Sequence, residues 1–145
     1  MHLFAYGTLM EPQIMRQVAG CVLQGVATTL HDYVRYGVRG EQYPGVVERP
    51  GSRVDGIAYL DVPAAAVQRL DRFEGKMYSR EAVEVHRRDD AAVLAAMVYV
   101  FKPEYRQLLT ETPWDYNQFL HNGQVLFKRD YSGFAAISTK VEERG

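Results

Sequence analysis

The segment Tyr6-Gly7-Thr8-Leu9 is the first place in this sequence where residue types and spacing could do chemistry. It directly follows the apolar run Leu3-Phe4-Ala5, which predicts a buried strand that ends in a glycine turn. Glu11 and Pro12 then predict a helix that runs to about Ala19. Glycine lets a ligand approach the backbone closely, and unpaired N–H groups beside a helix N-terminus favour an anion. The turn is therefore a candidate site for a carboxylate or phosphate, although such turns are also often purely structural.

A second candidate is the glutamate within Leu70-Asp71-Arg72-Phe73-Glu74-Gly75. Val67, Leu70 and Glu74 are spaced i, i+3 and i+7, so helical geometry places the carboxylate on an apolar face. Gly75 predicts the end of that helix, where the helix dipole disfavours a negative charge by about 0.3–1 kcal/mol. Burial and the dipole would both raise the pKa of Glu74, as expected for a carboxylate that exchanges protons near neutral pH. The alternative is a surface ion pair of this glutamate with Arg72, Lys76 or Arg80.

The elements that must position these residues are mostly strands. Strand patterns cover residues 22–30, 54–60, 81–86 and 93–101, and helical patterns cover residues 63–73 and 114–120. Residues 33–53 contain several glycines and prolines and predict a long loop of the kind that is often functional. We expect a single α+β domain over residues 1–145, a small mixed β-barrel with flanking α-helices. The mostly polar residues 138–145 are candidates for fraying.

Composition and charge exclude several classes of function. The 145 residues include 17 Lys and Arg and 18 Asp and Glu, and residues of neither sign form a long block. The sequence therefore lacks the clustered charge that binds nucleic acid or a membrane surface. The single Cys21 is more typical of a buried apolar residue than of a nucleophile. The scattered histidines favour no metal site, and no signature of a serine hydrolase, P-loop protein or dinucleotide-binding fold occurs, so no cofactor is expected. Without a long apolar segment or a secretory pattern, we expect a cytoplasmic protein with a small-molecule partner.

Taken together, these residues resemble the gamma-glutamylcyclotransferase-like family. The resemblance is carried by the pairing of Tyr6-Gly7-Thr8-Leu9 with the segment from Leu70 to Gly75, by Tyr78 and Arg80 after it, and by Tyr43-Pro44-Gly45-Val46-Val47 between them. It extends from about Leu3 to Phe134 and is stronger for the branch that includes gamma-glutamylamine cyclotransferase and the avirulence-induced-gene-like proteins. The resemblance implies a small β-barrel with a pocket at one side, a turn that binds the carboxylate end of the substrate, and one essential glutamate.

The activity implied by the resemblance is cyclisation of a gamma-glutamyl amide. The α-amino group of such a substrate attacks its own side-chain carbonyl, which releases 5-oxoproline and a free amine. Carried over by position, Glu74 is the catalytic acid/base and the substrate-binding residues are Tyr6, Gly7, Thr8, Leu9 and Tyr78, with no metal and no cofactor. A backbone N–H of the turn, or a tyrosine hydroxyl such as that of Tyr78, would stabilise the developing oxyanion.

An alternative from a different class is a non-catalytic binding module or sensor, which would hold a glutamate-like or 5-oxoproline-like metabolite in the same pocket. A proton-exchanging glutamate on an apolar stripe favours the enzyme, because a binding module has no need of one. The residues identify neither the amine leaving group nor the oligomeric state. Residues 103–114, with Tyr105, Arg106 and Trp114, are a candidate for the leaving-group end of the pocket.

Overall fold

The computed structural model describes residues 1–142 and is built on a closed barrel of five strands with helices on its outside. The strands are β1 (Leu3–Ala5), β2 (Gly25–Val38), β3 (Pro44–Tyr59), β4 (Tyr78–Arg87), β5 (Val93–Phe101) and β6 (Leu109–Pro113). The helices are α1 (Pro12–Ala19), α2 (Ala64–Glu74), α3 (Tyr116–Gln118), α4 (Gln124–Asp130) and α5 (Ser132–Glu142). The expected α+β fold with a mixed barrel is therefore confirmed.

The barrel closes because β3 pairs with strands on both of its sides. Strand β1 lies antiparallel to β3 and parallel to β5, and β5 and β4 form an antiparallel pair. Strand β2 then joins β4 to β3, with both pairings antiparallel, and β6 is added to β2 outside the closed ring. The predicted strand at residues 93–101 is β5. Its side chains alternate between the barrel interior, as for Val98, and the cluster under the helices, as for Phe101, which explains why its sequence is apolar throughout.

The glycine- and proline-rich stretch at residues 33–53 is mainly a hairpin, so its prediction as a long loop is wrong. Strand β2 continues to Val38 and β3 begins at Pro44, which leaves only a short turn between them. Pro44 occupies the first position of β3, where proline is tolerated in a sheet. Residues 49–52 lie opposite Asp32 at a register shift, so Pro50 and its neighbours mark a β-bulge and not a connection.

Two buried clusters divide the core between the inside of the barrel and its helical cover. The first contains residues of all five barrel strands, among them Phe4, Leu30 and Val98. The second joins the opposite faces of the strands to the helices, and includes Leu70 and Phe73 of α2. Because strand side chains alternate, Phe4 points into the barrel while its neighbours on β1 pack under the helices.

Helices α4 and α5 bring a group of aromatic rings back onto the barrel, which the sequence did not predict. The predicted helix at residues 114–120 corresponds to α3 and the π-helical turn Phe119–Gly123 that follows it. The ring of Tyr131 packs at 4.9 Å from that of Phe73 and at 5.0 Å from that of Tyr43, measured between centroids. The rings thus cover one end of the barrel, beside the end of α2.

The described chain ends with α5. This helix continues through residues 138–142, and residues 143–145 lie outside the described residues, so the fraying of residues 138–145 stays a prediction. The longest helices of residues 1–142 have 11 residues, and none is both long and apolar enough to span a bilayer.

Candidate active site

A pocket lies at the end of the barrel, where β1 ends and β3 and β4 begin. The end of α2 forms one wall, and α4 and the tyrosine that follows it form the cover. All six residues that the sequence nominated for the site line this one pocket: Tyr6, Gly7, Thr8, Leu9, Glu74 and Tyr78. Six further aromatic side chains complete its walls and cover: Phe4, Tyr43, Phe73, Tyr99, Phe127 and Tyr131.

The turn after β1 lines the pocket and contains backbone donors without a protein partner among residues 1–142. Residues Thr8–Met10 form a single 3-10 turn, closed by a hydrogen bond of 3.0 Å from the N–H of Met10 to the carbonyl of Gly7. Within residues 1–142, the N–H groups of Gly7, Thr8 and Leu9 donate no hydrogen bond to another protein group. This is expected, because the first N–H groups of a helical turn have no partner inside it. Three adjacent donors can therefore bind an anion.

The N-terminus of α1 does not contribute to this anion site, contrary to the expectation from the sequence. The carboxylate of Glu11 caps the helix, accepting hydrogen bonds from the N–H groups of Gln13 at 3.2 Å and Ile14 at 2.9 Å. Those donors are already used, and a negative side chain occupies the positive end of the helix. The donors for an anion in the pocket come from the 3-10 turn alone.

Gly7 is required by the closeness of the neighbouring strand. A Cβ atom at this position would lie 2.8 Å from both Cγ and Cδ of Pro44, closer than real Cβ contacts. The φ angle of Gly7 is −133°, so the need for glycine here comes from the contact and not from a left-handed backbone. The turn and the start of β3 are thus fitted against each other.

Arg35 holds the peptide that leads into the turn. Its Nη1 donates a hydrogen bond of 2.7 Å to the carbonyl of Tyr6, and its guanidinium stacks over Trp114 at 5.4 Å from the ring centroid. Burial lowers the pKa of Arg35, which the charges of Asp55 and Asp115 oppose. Because C=O and N–H of a trans peptide point in opposite directions, this bond fixes the direction of the Gly7 N–H. The sequence analysis did not single out Arg35.

Glu74 is the last residue of α2 and lies on the pocket wall. Its two partners in the i, i+3, i+7 pattern are buried, with Val67 at 7% and Leu70 at 0% exposure. Glu74 itself is half-buried because it opens onto the pocket. Burial of the carboxyl group, and next the negative charge of Asp71, raise its pKa from 4.5 to about 8. The carboxyl is therefore poised between its two protonation states near neutral pH.

The alternative of a surface ion pair for Glu74 finds no support in the contacts. Among the described residues no basic nitrogen lies within 4.0 Å of its carboxylate. Arg80, one of the three candidate partners, pairs instead with Asp71 at 3.4 Å. Asp71 also accepts a hydrogen bond of 2.7 Å from the hydroxyl of Tyr99. Asp71 lies one helical turn before Glu74, and this spacing in the sequence could have indicated that it lies beside the site.

Most tyrosine hydroxyls of the pocket are committed to protein acceptors. Tyr6 donates to the carbonyl of Tyr99 at 2.6 Å, and Tyr78 donates to the carbonyl of Pro44 at 2.7 Å. Tyr131 donates to the carbonyl of Phe73 at 2.8 Å. Because a hydroxyl has a single proton to donate, Tyr78 has none left for an oxyanion in this arrangement. The sequence-based choice of its hydroxyl as the donor is therefore disfavoured, although Tyr78 does line the pocket.

The segment expected at the leaving-group end lies elsewhere. Trp114 lines a separate groove beside β6, where its Nε1 donates to the carbonyl of Gln42 at 3.0 Å. Arg106 stacks over Tyr36 at 5.7 Å, and neither it nor Tyr105 lines the pocket of Glu74. The proposal that residues 103–114 shape the end of this pocket is therefore wrong.

Two of the four histidines meet outside the pocket. Strands β2 and β4 bring His31 and His86 together, with their ring centroids 5.0 Å apart. In the described part of the chain, no three His, Cys, Asp or Glu side chains lie together in a way that could hold a metal ion.

Solved structures share this architecture. The solution structure of an Arabidopsis thaliana protein superposes with a TM-score of 0.69 and 25% identity, covering 99% of this chain and 87% of that one. A gamma-glutamyl cyclotransferase superposes with a TM-score of 0.57 and 14% identity, covering 74% of each chain. An AIG2-like protein from Mus musculus gives 0.56 and 21%, covering 79% of this chain and 87% of that one. The two matches below 25% identity show a shared fold.

Sequence comparisons give the family. Protein AIG2 C of Arabidopsis thaliana is 31% identical over 100 residues, which cover 69% of this chain and 61% of that protein. This chain thus matches less than two thirds of that relative's length. AIG2-like protein D from the same plant is 29% identical over 117 residues, covering 80% of this chain and 76% of that protein. The model of the family described as "Gamma-glutamyl cyclotransferase, AIG2-like" matches residues 3–116. The chain therefore belongs to the AIG2-like gamma-glutamyl cyclotransferase family.

Proposed function

We propose that this protein converts a gamma-glutamyl amide into 5-oxoproline and a free amine, with Glu74 as the general acid/base. The observation that supports this proposal is that one pocket contains both a proton-exchanging carboxyl group and donors for an anion. A carboxyl group with a pKa of about 8 shares it with three free backbone donors. Membership of a cyclotransferase-type family supports the same reaction class.

Substrate binding in this proposal begins at the turn. The α-carboxylate of the substrate accepts hydrogen bonds from the N–H groups of Gly7, Thr8 and Leu9, and the apolar rings of the pocket enclose the methylene groups. The chain must then fold back so that its amine meets its own amide carbonyl. Fixing this geometry in a pocket converts an improbable encounter into a favoured one.

Proton transfer in this proposal is assigned to Glu74. Its ionised carboxylate takes a proton from the α-ammonium group, which frees the lone pair on nitrogen to attack the amide carbonyl. A C–N bond forms to close the five-membered ring, and the C–N bond to the departing amine breaks. Glu74 returns this proton to the departing nitrogen, and the second proton of the ring nitrogen also passes to it, so that the amine leaves as an ammonium ion. Atoms balance without water: one substrate gives one 5-oxoproline and one amine.

The raised pKa of Glu74 suits a group that must both accept and donate a proton. A carboxylate with an ordinary pKa near 4.5 is a weak base toward an ammonium group, whereas a pKa of about 8 brings the two closer. The absence of an ion pair within the described residues leaves the carboxylate free to meet the substrate ammonium. In this proposal the partner is a small molecule, and the free Cys21 is compatible with the expected cytoplasmic location.

Product identity tests this proposal. The protein is incubated with gamma-glutamyl amides of several amines in heavy-oxygen water, and the products are identified by mass spectrometry. Cyclisation predicts unlabelled 5-oxoproline and the free amine, because no water enters the product. Labelled glutamate would indicate a hydrolase and would overturn the proposal. Tight binding of 5-oxoproline without turnover of any amide would favour the binding module instead.

A further inference from the structure

We propose that the hydroxyl of Tyr43 donates the hydrogen bond that stabilises the oxyanion formed when the substrate amine attacks the amide carbonyl. This inference rests on the proposed function and adds a second catalytic residue to it. Tyr43 lies at the turn that leads into β3 and lines the same pocket as Glu74. It was one of many tyrosines that the sequence could not separate into pocket and core residues.

Tyr43 differs from the other tyrosines of the pocket in the use of its hydroxyl proton. Five tyrosines line the pocket, and four of them donate to protein oxygens. Within the part of the chain that the structure describes, the hydroxyl of Tyr43 makes no such bond. Nor is its oxygen among the buried, unpartnered side-chain atoms, which belong to Thr28, Arg72 and His86. The hydroxyl therefore donates no hydrogen bond to the described protein residues, and its oxygen is accessible.

The ring of Tyr43 is held firmly even though its hydroxyl is free. It is 9% exposed, and it makes edge contacts with Tyr131 at 5.0 Å and with Phe127 at 6.2 Å between centroids. Aromatic pairs in this arrangement restrict the ring without using its hydroxyl. A donor held in place beside the reacting group before the charge develops is what stabilisation of that charge requires.

The protonation state of Tyr43 also suits a donor. Burial, followed by the negative charges of Glu41 and Glu74, raises its pKa to about 12. The hydroxyl therefore keeps its proton at every pH at which Glu74 titrates. The influence of Glu74 on Tyr43 further indicates that the two groups share the pocket, one to move the proton and one to receive the negative charge of the oxygen.

Matched substitutions to phenylalanine test this assignment, with Tyr36 as the control because it is a buried tyrosine of β2 that does not line the pocket. For Tyr43→Phe we expect kcat to fall about 100-fold, with KM changed less than about threefold and thermal stability unchanged. For Tyr36→Phe we expect kcat within about threefold of the parent and lower stability, because it loses the hydrogen bond that its hydroxyl accepts from Arg49. An active parent with an unaffected Tyr43→Phe, or with a change in KM alone, overturns the assignment while the proposed function stands. A parent that turns over no gamma-glutamyl amide overturns both.

A substrate change gives a second test that does not depend on the stability of one variant. A gamma-glutamyl thioamide replaces the acceptor oxygen by sulfur, which accepts hydrogen bonds more weakly. We expect the ratio of amide to thioamide turnover to be about tenfold smaller in Tyr43→Phe than in the parent and in Tyr36→Phe. Equal ratios in all three proteins would contradict a bond between Tyr43 and the reacting oxygen.

Discussion

Replacing Glu74 by glutamine should make the stability of the protein less dependent on pH. In the folded protein the pKa of Glu74 is raised from 4.5 to about 8. Between these two pH values the unfolded chain has lost the proton while the folded protein keeps it. The folded state binds more protons in this window, so the free energy of unfolding decreases as pH rises. Glutamine cannot titrate and removes this dependence.

The size of the effect follows from the displaced pKa. At about 1.4 kcal/mol per pH unit, the interval from 4.5 to about 8 corresponds to about 5 kcal/mol as an upper bound. Contact of the carboxylate with solvent in the pocket reduces this, and we expect about 2–3 kcal/mol. For a chain of this length, that difference amounts to a change in Tm of about 5–10 °C.

The assay compares thermal or urea unfolding of the parent and Glu74→Gln at about pH 5 and about pH 9. The variant should gain stability relative to the parent between the two conditions. Glu84→Gln serves as the control, because Glu84 is an exposed carboxylate of β4 that does not line the pocket. If the difference in stability between the parent and Glu74→Gln does not change with pH, the raised pKa of Glu74 is refuted. If Glu74→Gln instead loses stability relative to the parent as pH rises, the result would support the surface ion pair of Glu74.

Three further substitutions probe the surroundings of the site. Asp71→Asn removes a negative charge that raises the pKa of Glu74, so the acid limb of kcat/KM against pH should move to lower pH, and an unmoved limb would contradict the coupling. Gly7→Ala places a Cβ 2.8 Å from Pro44 and should lower the free energy of unfolding in urea by about 1–3 kcal/mol. An unchanged free energy of unfolding would mean that β3 shifts away at no cost. Arg35→Met removes the bond to the carbonyl before the turn and should raise KM about tenfold, with Arg35→Lys intermediate; parental KM would show that the turn holds itself.

The sequence identified local features of the site well because they depend on short-range rules. The apolar run 93–101 coincides with β5, and the glycine after α2 ends the helix with a φ of 80°. The period of α2 placed Glu74 on an apolar face, and the structure places it on the pocket wall beside the turn after β1. The roles of these residues in catalysis remain predictions.

Features that depend on long-range pairing could not be predicted. The glycines and prolines of residues 33–53 indicate breaks in regular structure, but whether they form a loop or a bulged hairpin depends on the pairing of β2 with β3. The sequence predicted a helix start at Glu11 but not the hydrogen bonds of its side chain. Because this carboxylate caps α1, the N-terminus of the helix is not available to an anion in the pocket. Likewise, the sequence could not separate Tyr43 from the other tyrosines of the pocket, because the oxygens that accept from the other hydroxyls are distant in sequence.

The rate of 5-oxoproline release by Glu74→Gln is the direct test of Glu74 as the general acid/base. The parent, Glu74→Gln and Glu84→Gln are assayed at about pH 8 with a gamma-glutamyl amide that the parent turns over, after unfolding measurements have shown that all three are folded. Loss of a general acid/base should reduce kcat by a factor of about 10²–10⁴ in Glu74→Gln and leave Glu84→Gln at the parental rate. Turnover by Glu74→Gln within a few-fold of the parent would contradict the account.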